Sequence, residues 1–330
     1  MAARRRLPLD GALPDERWVV RYWLPSGQAT DVIGWIEAID EVAVRLATLN
    51  SATQVVQRSM IIAARRAPAA PGGSDPQRIS PHALQQHTVR GWLAWHESLG
   101  EWTLRAGGGF TRRANSCHAV GNPAISTPEA ADRIIAFAAA HDIPALAQVI
   151  EDSPEEGGLR ELGWVSTYQP TVVLVSRLSD FLPERAAEPA VQLAERLQPD
   201  WELAYQRSRP NSADPAIVRM ILDGSPCAFV AVTGERPDDH HEVVAIARGH
   251  RSDDWLGFTS IWTDPHHRQR GLATAMMARL GHWAARQGAR YSYVQVATVN
   301  EPAVAAYTKL GFLPHHRYLY LTPSAGLGQM

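Results

Sequence analysis

Lysine is nearly missing from this chain: Lys309 is the one lysine in 330 residues, and arginine supplies almost all the positive charge. That skew most simply reflects G+C-rich coding. Acidic residues number 34 against 32 lysines and arginines, for a formal net charge of −2. Without a long basic block, bulk charge argues against nucleic acid as the main partner. The short Arg4-Arg5-Arg6 run reads as a solvated tail. Cysteine is equally scarce, and Cys117 and Cys227 alone cannot build a disulfide framework, which fits a reducing cytosol. No stretch reaches the roughly 18 uninterrupted apolar residues of a membrane helix. The N-terminal arginines are followed by no apolar region of a signal peptide. A cytoplasmic protein that does not cross a membrane is expected. What is present is 45% hydrophobic and 20% charged sequence, enough for packed cores in two or three domains.

Residues 1–66 alternate short Val-, Ile- and Trp-rich runs with turn signals. Strands are predicted at Trp18–Leu24, Val32–Ala38, Val42–Leu49, Thr53–Gln57 and Met60–Ala64. Their layout resembles an SH3-like barrel, which would contact peptides or simply pack on its neighbour. Residues 67–81 turn rich in Pro, Ala and Gly and read as a linker. A softer boundary near Leu178–Pro189 divides the rest into 82–180 and 181–330. In the last part, strands Cys227–Val232, Val243–His250 and Trp255–Thr263 lead to a helix at Leu272–Gln287. Strand Tyr291–Val296, helix Pro302–Leu310 and strand Arg317–Leu321 follow. Leu272, Met276, Leu280 and Trp283 recur on one face of the long helix, which Gly288 ends.

The strongest chemical signal lies between strand and long helix, at Asp264-Pro-His-His-Arg268-Gln269-Arg270-Gly271-Leu272-Ala273-Thr274. Successive backbone N–H groups at a helix N-terminus form an anion site suited to a pyrophosphate. Gly271 permits close approach of the backbone, Ala273 keeps the next turn small, and Arg268 and Arg270 add charge-assisted donors. A second motif, Asn300-Glu-Pro-Ala303-Val-Ala-Ala-Tyr307-Thr-Lys-Leu-Gly311-Phe312, follows the next strand. In order, the two are similar to the acyl-CoA motifs of the GNAT superfamily of N-acetyltransferases: Arg268-x-x-Gly271-x-Ala273 and Asn300-x-x-Ala303-x-x-x-Tyr307-x-x-x-Gly311-Phe312. The resemblance covers about the last hundred residues. It implies an α+β fold, with a mostly antiparallel mixed sheet flanked by helices, and acetyl-CoA as acyl donor to a primary amine. It further implies that Ile261, Trp262 and Thr263 bind the pantetheine arm through their backbone. Residues Arg268, Gln269, Arg270, Gly271, Leu272, Ala273 and Thr274 would hold the pyrophosphate, with Asn300 and Tyr307 near the thioester. Tyr307 is then the general acid that protonates the leaving thiolate.

The family often keeps a glutamate in the strand before the phosphate turn, but Trp255–Trp262 holds no carboxylate. Asp253, Asp254 and Glu242 are the nearest candidates for a base, and all three equally suit turns or surface. The pairs His240-His241, His266-His267 and His315-His316 lack metal-ligand spacing, so no metal is expected. Residues 82–180 look like a degenerate copy of the last part. Phe110-Thr111 echoes Phe258-Thr259, helix Pro128–His141 precedes strand Ala145–Ile150, and Leu162-Gly163-Trp164 echoes Leu310-Gly311-Phe312. Leu159 stands where the other copy has Tyr307. The run Trp102–Ser116, with Gly107-Gly108-Gly109, reads as a hairpin near the acceptor cleft, offering Arg105, Arg113 and Asn115 as acceptor contacts. Whether the acceptor is a protein or a small amine stays open. So does a non-catalytic acyl-CoA sensor, which would need the phosphate turn but not Tyr307.

Overall fold

The computed structural model describes residues 9, 11–49, 52–183, 191–209, 214–224, 226–235 and 241–324. Arg4–Arg6 and His240 lie outside the described residues. The first sheet is built from β1 (Arg17–Trp23), β2 (Ala29–Ile39), β3 (Ala43–Ala47), β4 (Thr53–Gln57) and β5 (Ile61–Arg66). All its pairs are antiparallel, in the order β4-β3-β2-β1-β5. β4 and β5 are its two edges, so among the described residues the sheet is open rather than closed on itself, unlike the barrel the strand layout suggested. Alternation buries Trp18, Val20, Ile36, Val44, Leu46 and Val56 on one face. Gly34 sits where a Cβ would lie 2.5 Å from the Ala47 carbonyl oxygen, so only glycine lets β2 and β3 approach there.

Residues 67–81 connect this sheet to the main body while packing against it. Ala69 and Ala70 are buried in the largest core cluster, and Trp35 Nε1 donates to the Ala69 carbonyl at 3.3 Å. Ser74 Oγ lies 3.0 Å from Tyr291 Oη.

The remaining elements are α1 (Pro81–Val89), β6 (Trp95–Leu99), β7 (Trp102–Ala106), β8 (Cys117–His118), α2 (Thr127–Ala140), β9 (Ala147–Ile150), α3 (Pro154–Glu161), β10 (Trp164–Ser166), β11 (Thr171–Arg177) and α4 (Leu178–Phe181). Then come β12 (Val191–Ala194), α5 (Pro199–Ser208), α6 (Pro215–Leu222), β13 (Cys227–Glu235), β14 (His241–Ser252), β15 (Trp255–Thr263), α7 (Leu272–Arg286), β16 (Tyr291–Ala297), α8 (Glu301–Lys309) and β17 (Leu313–Pro323). Among the described residues no helix is long and apolar enough to cross a membrane.

β6 to β17 form one 12-stranded sheet, with β12-β13-β14-β15-β16-β11-β17-β9-β8-β7-β6 in order and β10 on β17. Two pairs in it are parallel, β8 with β9 and β15 with β16, and each is bridged by a helix, α2 and α7 respectively. A parallel pair requires such a crossover. Beyond each parallel pair the next strand comes from the other end of the chain. β11 pairs with β16 from Thr171↔Ala297 to Arg177↔Tyr291. β17 pairs with β9 from Tyr318↔Ile150 to Leu321↔Ala147. The two halves thus exchange their last strands and share a continuous sheet.

Helix α7 carries the largest core. Met276, Leu280 and Trp283 are buried, Leu272 is half-buried against the same cluster, and Gly288 ends the helix at φ +93°. α8 and α3 stop in the same manner, Gly311 at φ +86° and Gly163 at φ +80°.

Candidate functional site

β15 and β16 run side by side only from Trp255↔Tyr291 to Phe258↔Val294. Beyond Phe258 the register of β15 against β14 shifts, between Ile246 and Arg248, and Ser260 takes φ +53°. A non-glycine residue in the left-handed region marks a bulge, and here it turns β15 away from its neighbour. The strands splay, and two cavities open along the gap. One, about 410 Å3, is lined by Ile261, Trp262, Thr263, Arg268, Gln269, Gly271, Leu272, Ala273, Thr274 and Tyr307, with His267 and Ala303. The other, about 260 Å3, is lined on one side by Phe258–Ile261 and Val294–Ala297, and on the other by Trp92, Arg113, Arg209, Asn300, Ala303 and Tyr307. Ile261, Ala303 and Tyr307 belong to both and mark the point where they meet.

The first cavity ends on the 264–271 turn. Asp264 Oδ1 accepts from the His266 N–H at 2.9 Å and shapes a single 3-10 turn. Arg268 Nε donates to the Thr263 carbonyl at 3.3 Å. Gln269 (φ +61°) and Gly271 (φ +74°) are both left-handed, which brings the chain round into α7. A Cβ on Gly271 would meet nothing within 4 Å, so the glycine serves the backbone conformation and an open space beside it. Helices α1, α2, α3, α6 and α8 are each capped by a side chain, whereas α4, α5 and α7 are not, and the N-cap of α7 is Gly271, which has no side-chain acceptor to offer. The first N–H groups of α7 are therefore left for an external acceptor, at the positive end of a 15-residue helix. An anion fits this place.

Tyr307 projects from α8 against Phe312, ring centroids 6.0 Å apart. Burial pushes its hydroxyl up to about 12, so it stays protonated at neutral pH. Asn300 caps α8, its Oδ1 accepting from the Ala303 N–H at 3.3 Å, and lines the smaller cavity.

Most residues singled out from sequence thus meet in one place. Arg270 departs, lining a separate cavity of about 560 Å3 with His266, His267 and Thr233 across the turn. The candidates for a base do not come to the site. Asp253 pairs with Arg90 at 3.0 Å, and with Asp254 it sits at the far end of β15. Six residues separate Trp255 from Ile261, about 20 Å at roughly 3.3 Å per residue. Glu242 pairs with Arg207 at 3.2 Å. Of the three suggested acceptor contacts, Arg113 alone lines the smaller cavity. Arg105 is buried and bonded to Ser116 Oγ (2.8 Å) and Gln148 Oε1 (2.9 Å), and Asn115 accepts from the Gly107 and Gly109 N–H groups to close that loop. His315 and His316 bond to each other, to the Ile79 carbonyl and to Gln85, a link to α1. Among the described residues no group of three or more His, Cys, Asp or Glu could hold a metal.

Trp92, Arg209 and Gln295 were not singled out from sequence. They come from a loop, a helix end and a strand far apart in the chain, and only the exchange of strands and the packing of α5 brings them together. The left-handed Ser260 has no sequence mark either, because serine is not a residue that favours positive φ.

Comparison with known proteins places this architecture. A GCN5-related N-acetyltransferase from Kribbella flavida superposes with a TM-score of 0.52 at 20% identity, over 75% of this chain and 97% of that one. An uncharacterised N-acetyltransferase, YobR of Bacillus subtilis (strain 168), is 27% identical over 253 residues, 71% of this chain and 96% of its own. Streptothricin acetyltransferase of Streptomyces lavendulae is 29% identical over 115 residues, 30% of this chain and 59% of its own. The profile of the family described as "Probable histone acetyltransferase Rv0428c C-terminal" matches residues 82–321, both halves of the shared sheet together. With that match over most of its length, the chain belongs to this family of GNAT acyltransferases.

Proposed function

We propose that the chain is an acetyl-CoA-dependent N-acyltransferase that acts in the cytosol and whose acceptor is a primary amine. The observation that carries this is the pairing of an uncapped helix N-terminus with a protonated tyrosine along one continuous gap between β15 and β16. The N–H groups of Leu272, Ala273 and Thr274, with Arg268, would hold the pyrophosphate of the donor. The splayed edge of β15 at Ile261–Thr263 would hold its pantetheine arm, and bound acetyl-CoA supplies the activated thioester. The acceptor nitrogen attacks the thioester carbonyl to form the C–N bond, the C–S bond breaks, and the Tyr307 hydroxyl gives its proton to the leaving sulfur. The nitrogen gives up its proton to water, from which Tyr307 is reprotonated. Backbone N–H groups on β15 around Ile261 would polarise the carbonyl and stabilise the developing oxyanion. Among the described residues no Asp or Glu lines either cavity. The amine therefore enters neutral or loses its proton to water.

Residues 82–180 fit a degenerate copy of the acyltransferase unit. The β8–α2–β9 and β15–α7–β16 crossovers match, as do the glycine stops at Gly163 and Gly311. Leu159 is fully buried where the other copy carries Tyr307, so the first copy has no hydroxyl at that position to act as general acid. The N-terminal sheet fits an SH3-like layout, with its 3-10 turn Arg58–Met60 between β4 and β5. Packed on the body through Trp35 and an Arg286–Asp15 ion pair, it reads as a supporting module; whether it also takes a peptide is a matter for a pull-down with the full chain.

The test is an amine panel with acetyl-CoA, reading released thiol. Tyr307→Phe should lower kcat roughly 100-fold or more with little change in KM for acetyl-CoA. Unchanged turnover in that variant would sink the tyrosine's role. Binding of acetyl-CoA with no amine-dependent thiol release would favour the sensor reading instead.

A further inference from the structure

The smaller cavity has a charge pattern of its own. Arg113 and Arg209 line it, and among the described residues no Asp or Glu does. Some arginines find acids: Arg207, two residues before Arg209, pairs with Glu242, and Arg219 pairs with Glu202 at 2.6 Å, whereas the buried Arg105 is held by Ser116 and Gln148. Among the described residues neither Arg113 nor Arg209 has a carboxylate partner; their contacts are to a phenol, a carbonyl and aromatic rings. Arg113 is also held in place. Its Nε donates to Tyr318 Oη at 2.8 Å, its Nη2 donates to the Gln295 carbonyl at 3.3 Å, and its guanidinium lies 5.5 Å from the Trp92 ring centroid. Arg113 is half-buried and Arg209 stands exposed at the rim, so an anion in the cavity would meet guanidinium donors from both. Arginine's planar fork, fixed in advance, matches a carboxylate.

A second observation points the same way. Thr259 Oγ1 and Gln295 Oε1 are buried, have no hydrogen-bond partner among the described residues, and belong to residues that line this cavity. An amide oxygen can only accept, so Gln295 calls for an N–H from outside. The cavity thus pairs donors for an anion with an acceptor for an amine, and Tyr307 lies at its junction with the donor channel.

We propose that the acceptor is an amine that also carries a carboxylate, a free amino acid or an amino-acid-like small molecule. Its carboxylate is gripped by Arg113 and Arg209, and its amino group lies against Gln295 and Tyr307. The assignment rests on the acyl-transfer reading above and narrows its acceptor. It disfavours polyamines and other polycations, which two unpaired guanidiniums repel. It also gives the middle of the chain a task, since Arg113 precedes β8 and reaches across into the other half's gap.

The experiment uses the full chain with matched acceptors: free amino acids and their carboxamides, which share the amine and differ in the charge. Thiol release and product mass are followed with acetyl-CoA, and thermal shift with the same compounds is followed without it. The acids should show kcat/KM at least about tenfold above the amides. Arg209 is exposed, so its variants leave the core intact, whereas Arg113 is tied to Tyr318. Arg209→Met should raise KM for the acids about tenfold and leave KM for acetyl-CoA unchanged, with Arg209→Lys in between. Arg209→Glu should reverse the preference between acid and amide. Amides used as well as acids, with turnover still dependent on Tyr307, would overturn the carboxylate site and leave acyl transfer standing. Acids that stabilise the wild type but not Arg209→Met, with no acceptor acylated, would keep the site and remove the acyl-transfer reading. Neither binding nor acylation of any amino acid would overturn the proposal.

Discussion

Two residues of the 264–271 turn share one conformation and differ in what it costs them. Gly271 adopts φ +74° without strain, whereas Gln269 holds φ +61° with a side chain. Placing a Cβ in the left-handed region costs roughly 1–2 kcal/mol. Gly271→Ala should therefore destabilise by about that amount although the added methyl meets no protein atom, and it should raise KM for acetyl-CoA. Gln269→Gly removes strain but loosens the unfolded chain by a similar amount, so its stability should stay within about 1 kcal/mol. Denaturant unfolding of the two variants checks both. Equal losses would show that the space, not the backbone, sets the requirement.

A buried histidine gives a pH dependence whose sign can be worked out. His250 is fully buried beside Arg248, its Nε2 2.8 Å from Tyr293 Oη, and burial first and Arg248 second lower its pKa to about 3. The unfolded chain, with an ordinary value near 6.5, takes up the proton first. This contribution is complete above about pH 6.5 and is lost as pH falls toward 3. One unit below 6.5 it amounts to about 1.4 kcal/mol. The fall in stability between pH 7.5 and 5.5 should shrink by about that much in His250→Gln, measured by chemical unfolding at each pH. An identical fall in the variant would assign the acid sensitivity to other groups.

At the scale of elements, legibility followed the kind of signal. α7 could be placed nearly to its ends because period and stop coincide: Leu272, Met276, Leu280 and Trp283 face one core, and Gly288 is left-handed. The first sheet could be read because turns and alternation are local. The bulge at Ser260 could not, since it depends on how β15 leaves β16 rather than on any favoured residue. Asn300 was read as a ligand-side residue, yet its visible bond is to the Ala303 N–H, as the cap of α8. Losing such a cap costs about 1 kcal/mol. Asn300→Ala should lose that much stability and lower turnover through the helix that carries Tyr307, while Asn300→Asp, which keeps the acceptor, should restore the stability. A turnover loss in both variants with stability unchanged would return Asn300 to direct contact with substrate.

The exchange of strands is a property of the whole molecule and was invisible in the sequence for a plain reason. Thr171–Arg177 reads as an apolar strand that ends the middle segment, and nothing in a strand's composition names its partners. In the structure β11 is the strand between β16 and β17, and the second half of β17 closes the other end against β9 and β10. Tyr318, Leu319, Tyr320 and Leu321 are each at most 4% exposed. Burying four large side chains is worth on the order of 6–12 kcal/mol, as much as the whole net stability of a typical domain. Cutting the chain at the apparent boundary near residue 180 should leave each part unable to fold alone. Residues 181–330 would keep the 264–271 turn and Tyr307 but lose β11, and β17 would expose its apolar half. We expect that fragment to be insoluble or to lack a cooperative unfolding transition, and co-expression with 82–180 to recover a stable pair. Residues 82–324 should unfold in a single step, as a shared sheet requires. A soluble 181–330 fragment with a sharp transition and acetyl-CoA binding would show that the exchanged strands are dispensable and that the two halves are separate domains.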